Sequence, residues 1–266
     1  MGMVKVTGKR KVRLKDIDPN SNGGMTKEEA APALEKAKKR IAELQERLFA
    51  EHKQSLLVVL QAIDTGGKDG TIRSVFSGVN PAGVRVWSFK VPTEWEADHD
   101  ILWRYHQHTP GRGMINVFNR SYFEEVLVVR VKNLVPKAIW ETRYDQINQF
   151  EKILTENGTR VVKIYLHISK DEQKERLQAR LDDPAKHWKF SISDLADREY
   201  WDDYQEAFED AINRCATPEA PWLVVPANRK WYRNYVIADA LVKVLEEMDP
   251  QWPEEEPGLE HVVIPD

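Results

Sequence analysis

The sequence predicts an α/β fold of three layers, α/β/α, with a central parallel sheet. Short apolar runs, bounded by loops, alternate with stretches of helical spacing along most of the 266 residues. This alternation is typical of βαβ units. The runs are apolar throughout, as strands covered on both faces are. We therefore expect ligands to bind at the carboxyl ends of these strands.

The first predicted helix follows a polar segment. Residues 1–24 are basic and then rich in Asn and Gly, so we expect an extended N-terminal arm. Thr26 followed by Glu29 is a capping-box pattern that predicts a helix start. Apolar side chains at spacings of three and four continue to about His52. Pro32 is expected to separate a short first turn from the rest of this helix.

The remaining elements alternate along the chain. Strands are predicted at residues 55–62, 84–86, 114–118, 160–168 and 222–227. Helices are predicted at residues 71–79, from Thr93 to Pro110, from Pro136 to about Glu156, after a cap at Ser169, from about Ser193 to Arg214, and at residues 235–248. One domain is therefore expected over residues 25–249, followed by an acidic, proline-rich tail at 250–266.

Composition limits the classes of function. The net charge of −4 argues against a broad nucleic-acid-binding surface but allows local basic pockets. Cys215 is the single cysteine, which excludes a disulfide framework and a cysteine metal cluster. No apolar run reaches the roughly 18 residues of a membrane span, and the N-terminus lacks the apolar segment of a signal peptide. We expect a cytoplasmic protein that binds neither nucleic acid nor membrane.

The strongest motif is a glycine-rich segment, AIDTGGKDGT, between a predicted strand and a predicted helix. Gly66, Gly67 and Gly70 allow the loop to fold around an anion with backbone N–H groups pointing inward. The helix that follows adds its positive N-terminus, and Lys68 can neutralise phosphate charge. The pattern predicts a phosphate-binding P-loop. The alternative is a structural glycine-rich turn with an incidental lysine.

This loop departs from the usual Walker A pattern in two places. Ala62 replaces the first glycine, and Asp69 replaces the Ser or Thr whose hydroxyl binds Mg²⁺. Asp64 is then the expected metal ligand, because Mg²⁺ prefers carboxylate oxygen. Thr71 closes the motif, and we include it among the phosphate-binding residues.

A second motif, FNRSY, follows the strand at 114–118. Asn119 stands where P-loop enzymes often place an acid linked to Mg²⁺, so a neutral oxygen would replace a carboxylate. Arg120 can hold phosphate oxygens in its planar fork. Glu124 can supply the missing negative charge as a third metal ligand. Alone, the motif is equally compatible with an ordinary helix start.

A third motif is the irregular stretch DDPAKHWKF at residues 182–190. Arg176 and Arg180 precede it, four residues apart on one helix face. Together with Lys186 and Lys189 they can converge on a polyanion. In nucleotide kinases such a helix–loop–helix closes over phosphates as a lid, which we predict at about 170–200. A solvated amphipathic hairpin is the alternative.

The three motifs together, AIDTGGKDG, FNRSYFEEVL and DDPAKHWKFS, resemble those of the family 2 polyphosphate kinases over residues 36–248. The resemblance implies a thymidylate-kinase-like P-loop core with a helical lid. It implies phosphoryl transfer between inorganic polyphosphate and adenine nucleotides, with guanine nucleotides as a further option. Mg²⁺ is the implied cofactor, with Mn²⁺ as a substitute, and a homo-oligomer is implied.

Carried over by position, the resemblance makes Asp64, Lys68 and Arg120 catalytic. The expected phosphate- and nucleotide-binding residues are Gly66, Gly67, Gly70, Thr71, Asn119, Arg176, Arg180, Lys186 and Lys189, and the expected metal ligands are Asp64, Asn119 and Glu124. Many family members carry Asp where this chain has Asn119. Asn at this position resembles the class III subgroup, which accepts both AMP and ADP.

Three other functions stay open. The first is an ATP-dependent nucleoside monophosphate kinase of thymidylate-kinase type, although the altered P-loop argues against it. The second is a regulatory module that binds nucleotides without turnover. The third is a polyphosphate-binding protein without nucleotide chemistry, in which Asp64 and Lys68 would have no evident task.

Overall fold

A six-stranded sheet forms the centre of the computed structural model, which describes residues 2–265 except the side chains of residues 193, 194 and 260. Its strands are β1 (Val4–Val6), β2 (Ser55–Gln61), β3 (Val84–Ser88), β4 (Ile115–Asn119), β5 (Thr159–His167) and β6 (Trp222–Pro226). The order across the sheet is β1-β6-β5-β2-β4-β3. All neighbours from β6 to β3 are parallel, so the predicted α/β class with a parallel sheet is confirmed.

The first strand was not predicted. β1 pairs antiparallel with β6, with Val4 opposite Val224, and extends the sheet at one edge. The segment after it is fixed to the body of the protein, since the Leu14 backbone N–H donates to Glu209 Oε2 at 2.7 Å. A three-residue strand shows no periodicity in sequence, and its partner lies at the other end of the chain.

Helices surround the sheet. The described α-helices are α1 (Lys27–Glu51), α2 (Lys68–Val75), α3 (Glu94–Ala97), α4 (Trp103–His106), α5 (Val128–Val131), α6 (Lys137–Trp140), α7 (Arg143–Glu156), α8 (Lys170–Leu181), α9 (Ile192–Asp197), α10 (Trp201–Cys215) and α11 (Lys230–Met248). α1, α2 and α11 pack together as one group, and α5, α7 and α10 as another. Nearly every residue of β2, β5 and β6 is buried, because helices cover both faces of the central sheet. No described helix combines the length and the apolar character that a membrane span requires.

Four predicted helices differ in detail, and the one predicted from about Ser193 to Arg214 is divided into α9, a 3₁₀ helix at Arg198–Tyr200 and α10. Thr26 caps α1 in the predicted capping box, but Pro32 lies inside an unbroken helix, since a proline there removes only one hydrogen bond and the buried face holds the helix together. The helix predicted from Thr93 is two short helices, because the Asp100 side chain accepts from the Leu102 backbone N–H and competes with helical bonding. The helix predicted from Pro136 is also divided, at Thr142, whose hydroxyl donates to the Ile139 carbonyl.

Other boundaries shift by a few residues. α2 begins at Lys68, so Lys68, Asp69 and Gly70 lie on a helical turn rather than in the loop. α11 begins at Lys230, five residues before its predicted start. The predicted irregular stretch contains a 3₁₀ helix at Pro184–Lys189 between α8 and α9. The division into arm, domain and tail stays a prediction, and its two end residues, Met1 and Asp266, lie outside the described chain.

Candidate active site

The three motifs meet at the carboxyl ends of the parallel strands. The P-loop follows β2, and the residues after β4 lie beside it because β2 and β4 are neighbours. α8 and the stretch after it come from the end of β5, on the other side of β2. The sheet therefore brings together segments that are far apart in sequence.

The P-loop turns within four residues. The Gly66 backbone N–H donates to the Ile63 carbonyl at 2.9 Å, and a Cβ on Gly66 would lie only 2.5 Å from the Ala62 Cβ. Gly67 has a φ of 104° and caps α2. Thr65 also has a positive φ, of 63°, which is costly for a β-branched side chain. Glycine is thus required at two positions, and the loop retains strain of the kind found at functional sites.

Lys68 is buried at the start of α2. Its Nζ donates to the Ala62 carbonyl at 2.9 Å, across the mouth of the loop. Burial, and then the charge of Arg120, lower the pKa of Lys68 to about 8, although Asp64 and Glu124 oppose this shift. An amine held in this way gains a stronger counter-charge when an anion enters the loop. Thr71 lies one turn further on, where its hydroxyl donates to the Gly67 carbonyl at 3.1 Å.

Arg120 lies between two carboxylates. It has a φ of 64°, and its backbone N–H donates to the Leu60 carbonyl at 3.1 Å, which fixes the residue at the end of β4. Its Nη2 forms an ion pair with Asp64 Oδ1, and its Nη1 lies 3.4 Å from Glu124 Oε2. Three predicted site residues therefore converge. The guanidinium holds the position that a cation would take between the two acids.

Asn119 lies in a second cluster, on the P-loop helix side. Its Nδ2 donates to Asp69 Oδ1 at 2.9 Å and to Ser88 Oγ at 3.3 Å. Asp69 Oδ2 accepts from Lys189 Nζ at 3.0 Å. Burial favours the neutral form of Asp69, but the hydrogen bonds from Lys189 and Asn119 outweigh it and lower the pKa of this carboxyl. Asp69 thus links the P-loop, the β4 motif and the stretch that follows α8.

Arg176 lies behind the P-loop. It donates to the carbonyls of Thr65 and Gly66 at 3.1 and 2.9 Å, and to those of Ala227 and Asn228 at 2.6 and 3.2 Å. Its Nε donates to Glu172 Oε1 at 2.7 Å. These contacts match the five N–H donors of a guanidinium. Arg176 holds the loop from behind, and its predicted contact with phosphate stays a prediction.

The other two cations of the third motif contact residues of the same segment. Arg180 Nη1 donates to the Lys189 carbonyl at 3.1 Å. Lys186 is largely exposed and pairs with Asp183 at 2.7 Å. The structure therefore places Lys189 at the P-loop helix and Lys186 away from it. The roles predicted for these residues stay predictions.

Several residues near the loop were missed by sequence reasoning. Gln173 is fully buried and donates to the Asp64 backbone carbonyl at 3.1 Å. Arg233, from the first turn of α11, lies against Gly67. Asp197 and Tyr204 line a small cavity that opens beside Asp64 and Arg120. Burial, and then the charges of Asp197, Glu124 and Asp64, raise the pKa of Tyr204. In sequence, these residues follow no motif and resemble ordinary helix positions.

The residues present fit a hard divalent cation shared with phosphates. Mg²⁺ commonly takes one or two carboxylates, with substrate phosphates and water as its other ligands. Asp64 and Glu124 supply two carboxylates that already face one cationic group, Arg120. Among the described residues, no group of three His, Cys, Asp or Glu side chains forms a closed metal site. This donor set suits a metal that arrives with phosphate rather than one bound by protein alone.

Comparison with known proteins gives one consistent family. The family model for polyphosphate kinase 2 matches residues 24–253. The chain is 53% identical, over 94% of its length and 95% of the relative, to an AMP/ADP-polyphosphate phosphotransferase of Meiothermus ruber. It is 44% identical, over 82% of its length and 80% of the relative, to an ADP-polyphosphate phosphotransferase of Rhodopseudomonas palustris. The crystal structure of a polyphosphate kinase 2 from Arthrobacter aurescens superposes with a TM-score of 0.91, at 46% identity, covering 94% of this chain and 90% of that chain.

Proposed function

Because the chain belongs to the polyphosphate kinase 2 family, we propose that it catalyses reversible phosphoryl transfer between inorganic polyphosphate and the adenine nucleotides AMP and ADP. The observation that carries this proposal is the meeting of Lys68, Arg120 and Asp64 at the mouth of a P-loop. Phosphoryl transfer needs alignment and charge neutralisation more than covalent chemistry. The site supplies both.

Each of these residues has a separate task. Lys68 and the backbone N–H groups at the start of α2 hold phosphate oxygens and neutralise their charge. Arg120 lies where it can bind the phosphate that is transferred, and it stabilises the charge that spreads over the oxygens in the transition state. Asp64 and Glu124 keep Arg120 in place before substrate binds. The attacking phosphate oxygen is already ionised at neutral pH, so no strong general base is required.

The metal we propose is Mg²⁺, with Mn²⁺ as a substitute. Asp64 and Glu124 would hold it, and Asn119 lies one residue from Arg120 as a neutral third donor. Bound Mg²⁺ screens phosphate charge and polarises the bridging oxygens. In the structure the Asn119 nitrogen donates to Asp69 at 2.9 Å, so the amide oxygen is the atom of this residue that would bind the metal.

We propose two acceptors, AMP and ADP. The support is the 53% identity to a relative named for both, together with Asn119 in place of the acid that many members carry. A less negative site tolerates acceptors that differ in phosphate number. Guanine nucleotides and a homo-oligomer remain expectations from the family resemblance, and a cytoplasmic location remains an expectation from the sequence.

The test is product formation with purified protein, Mg²⁺ and long-chain polyphosphate, supplied with AMP or with ADP and separated by chromatography. We expect ADP and ATP from AMP, and ATP from ADP. Product from only one acceptor would retain the reaction and remove the dual specificity. If neither acceptor reacts and ATP phosphorylates another monophosphate instead, the chain is an ATP-dependent nucleoside monophosphate kinase.

A further inference from the structure

Arg233 is a buried cation against the P-loop. It lies in the first turn of α11, and its side chain is only 3% exposed. Its Nη1 would lie 2.0 Å from a Cβ on Gly67, and its Nη2 would lie 3.5 Å from a Cβ on Gly70. The guanidinium therefore packs on bare backbone at the N-terminus of α2. Gly67 leaves the room that this contact needs.

Within the described part of the chain, the charge on Arg233 is not paired with an acid. Its Nε and Nη2 donate to the neutral Oδ1 of Asn234, at 3.1 and 2.8 Å. Among the side chains that the structure describes, no carboxylate lies within ion-pair distance of it. Glu172 has an electrostatic effect on Arg233, but the Nε of Arg176 already holds that carboxylate. Two guanidiniums thus share one acid.

The surroundings make this charge costly. Burial, and then the neighbouring charge of Arg176, lower the pKa of Arg233 to about 10. The first turn of α11 contains no acidic residue, and a cation there opposes the helix dipole. A buried charge that lacks a partner costs several kcal/mol. For stability alone, an apolar side chain would serve better at this position.

We propose that Arg233 is a determinant of polyphosphate binding, whose charge is neutralised by the condensed phosphate chain held at the P-loop. The inference rests on the proposed function and assigns Arg233 to the donor substrate. Arg233 and Arg176 place two further positive charges beside Gly67, one residue before Lys68. A polyanion neutralises this excess of positive charge more fully than a single phosphate does, because it brings several negative charges to one place.

A purely structural role would give a different result on substitution. A structural Arg233 would stabilise the protein, and its loss would lower the melting temperature. A charge kept for the substrate costs stability in the free protein. Its replacement by an apolar side chain of similar length should then leave the free protein as stable or more stable.

The experiment measures binding of tripolyphosphate by calorimetry, without nucleotide and at constant Mg²⁺, alongside thermal unfolding with and without the ligand. The variants are Arg233→Met and Arg233→Lys, with Lys230→Met as the matched control. Lys230 is exposed on the same first turn and carries the same charge. We expect Arg233→Met to weaken binding at least about tenfold, as one lost charge contact commonly does. Its melting temperature without ligand should equal or exceed that of the wild type.

The two other variants complete the test. Arg233→Lys keeps the charge and should bind within about threefold of the wild type, while Lys230→Met should lie within about twofold. If Arg233→Met binds tripolyphosphate as the wild type does, the proposal is wrong. It is also wrong if Arg233→Met melts lower but keeps the full ligand-induced increase in melting temperature. Should Arg233→Met fail to fold, a tenfold loss of binding in a stable Arg233→Lys would contradict the role of charge.

Failure of this inference can be told apart from failure of the proposed function. Phosphate transfer from polyphosphate to AMP or ADP is measured on the wild type alone. A wild type without transfer overturns the proposed function. A wild type that transfers phosphate, with an Arg233→Met variant that binds tripolyphosphate equally well, overturns only the role of Arg233.

Discussion

Two cations are buried almost equally deeply in this protein, but their surroundings differ. Lys163, on β5, is fully buried and pairs with Glu151 from α7, which also accepts from the Tyr122 hydroxyl at 2.8 Å. Arg233 is nearly as buried, and its described side-chain hydrogen bonds go to the neutral amide of Asn234. Lys163 lies in the core behind the sheet, whereas Arg233 lies against the P-loop.

The difference separates charges that serve the fold from charges that serve the ligand. Lys163 has its counter-charge within the chain, so its role ends when the protein has folded. Arg233 has an excess of positive charge around it, which a bound anion can reduce. Burial alone therefore does not distinguish these two cations, whereas the acidic partner of Lys163 does.

The largest effect is expected for the paired cation. Lys163→Met leaves Glu151 buried without its counter-charge, and we expect a loss of about 3–5 kcal/mol in the free energy of unfolding. Urea unfolding measures it. The double variant Lys163→Met with Glu151→Leu removes both charges and should recover most of the loss. A single variant as stable as the wild type would show that the pair is not structural.

Lys68→Ala should have an effect of nearly the same size, but on activity instead of on the free energy of unfolding. Removing the amine from the P-loop takes away one electrostatic contact to phosphate, which commonly lowers kcat by about 10²–10³, or roughly 3–4 kcal/mol. Steady-state rates with polyphosphate and ADP measure it, with thermal unfolding as the check on folding and exposed Lys230→Ala as the control. Normal turnover in a folded Lys68→Ala protein would place the chemistry elsewhere.

The titration of Lys68 should make activity and stability change in opposite directions as the pH rises. Its folded pKa of about 8 lies below the unfolded value, so above pH 8 the unfolded chain binds more protons than the folded one. The contribution of Lys68 to the free energy of unfolding then increases between pH 8 and the unfolded pKa. Phosphate binding needs the charged amine, so kcat/KM for polyphosphate should fall about tenfold per pH unit above 8.

Measurements of kcat/KM and of the free energy of unfolding between pH 7 and 9.5 test whether activity falls while stability rises. Arg stays charged throughout this range, so an active Lys68→Arg variant should lose the decline in kcat/KM. If Lys68→Arg declines in parallel with the wild type, another group is responsible.

The smallest effect is expected for the contact between Lys189 and the P-loop helix. Asp69 and Lys189 form a partly exposed ion pair at 3.0 Å, and such pairs contribute about 0.2–1 kcal/mol. A double-mutant cycle of Asp69→Asn and Lys189→Gln on kcat/KM should give a coupling of that size. Strictly additive effects would mean that Asp69 and Lys189 act independently.

The sequence predicted what depends on local chemistry. The capping box at Thr26, the glycines of the P-loop and the strands after which the motifs lie can each be inferred from a few adjacent residues. All of these elements are present in the structure, and the parallel sheet explains why the motifs meet.

What depends on distant contacts could not be inferred. Arg233 looks like a solvated cation in the first turn of an amphipathic helix, and only the packing of α11 against α2 brings it to Gly67. Asp69 was noted as a departure from a pattern, but its bond to Asn119 depends on the spacing of β2 and β4. Arg176 could be assigned to the site, whereas the direction of its donors toward the loop carbonyls could not.

The antiparallel strand β1 has a consequence for the order in which the protein can fold. Val4–Val6 is synthesised before every other strand, yet its partner, β6, is the last strand along the chain. Pairings between such distant segments form slowly, because the intervening chain must be ordered first. On the ribosome the N-terminal segment has no strand to join until residues 222–224 have emerged. Completion of the sheet requires the chain from β1 to β6, so β1 is among the last of the described strands to find its place.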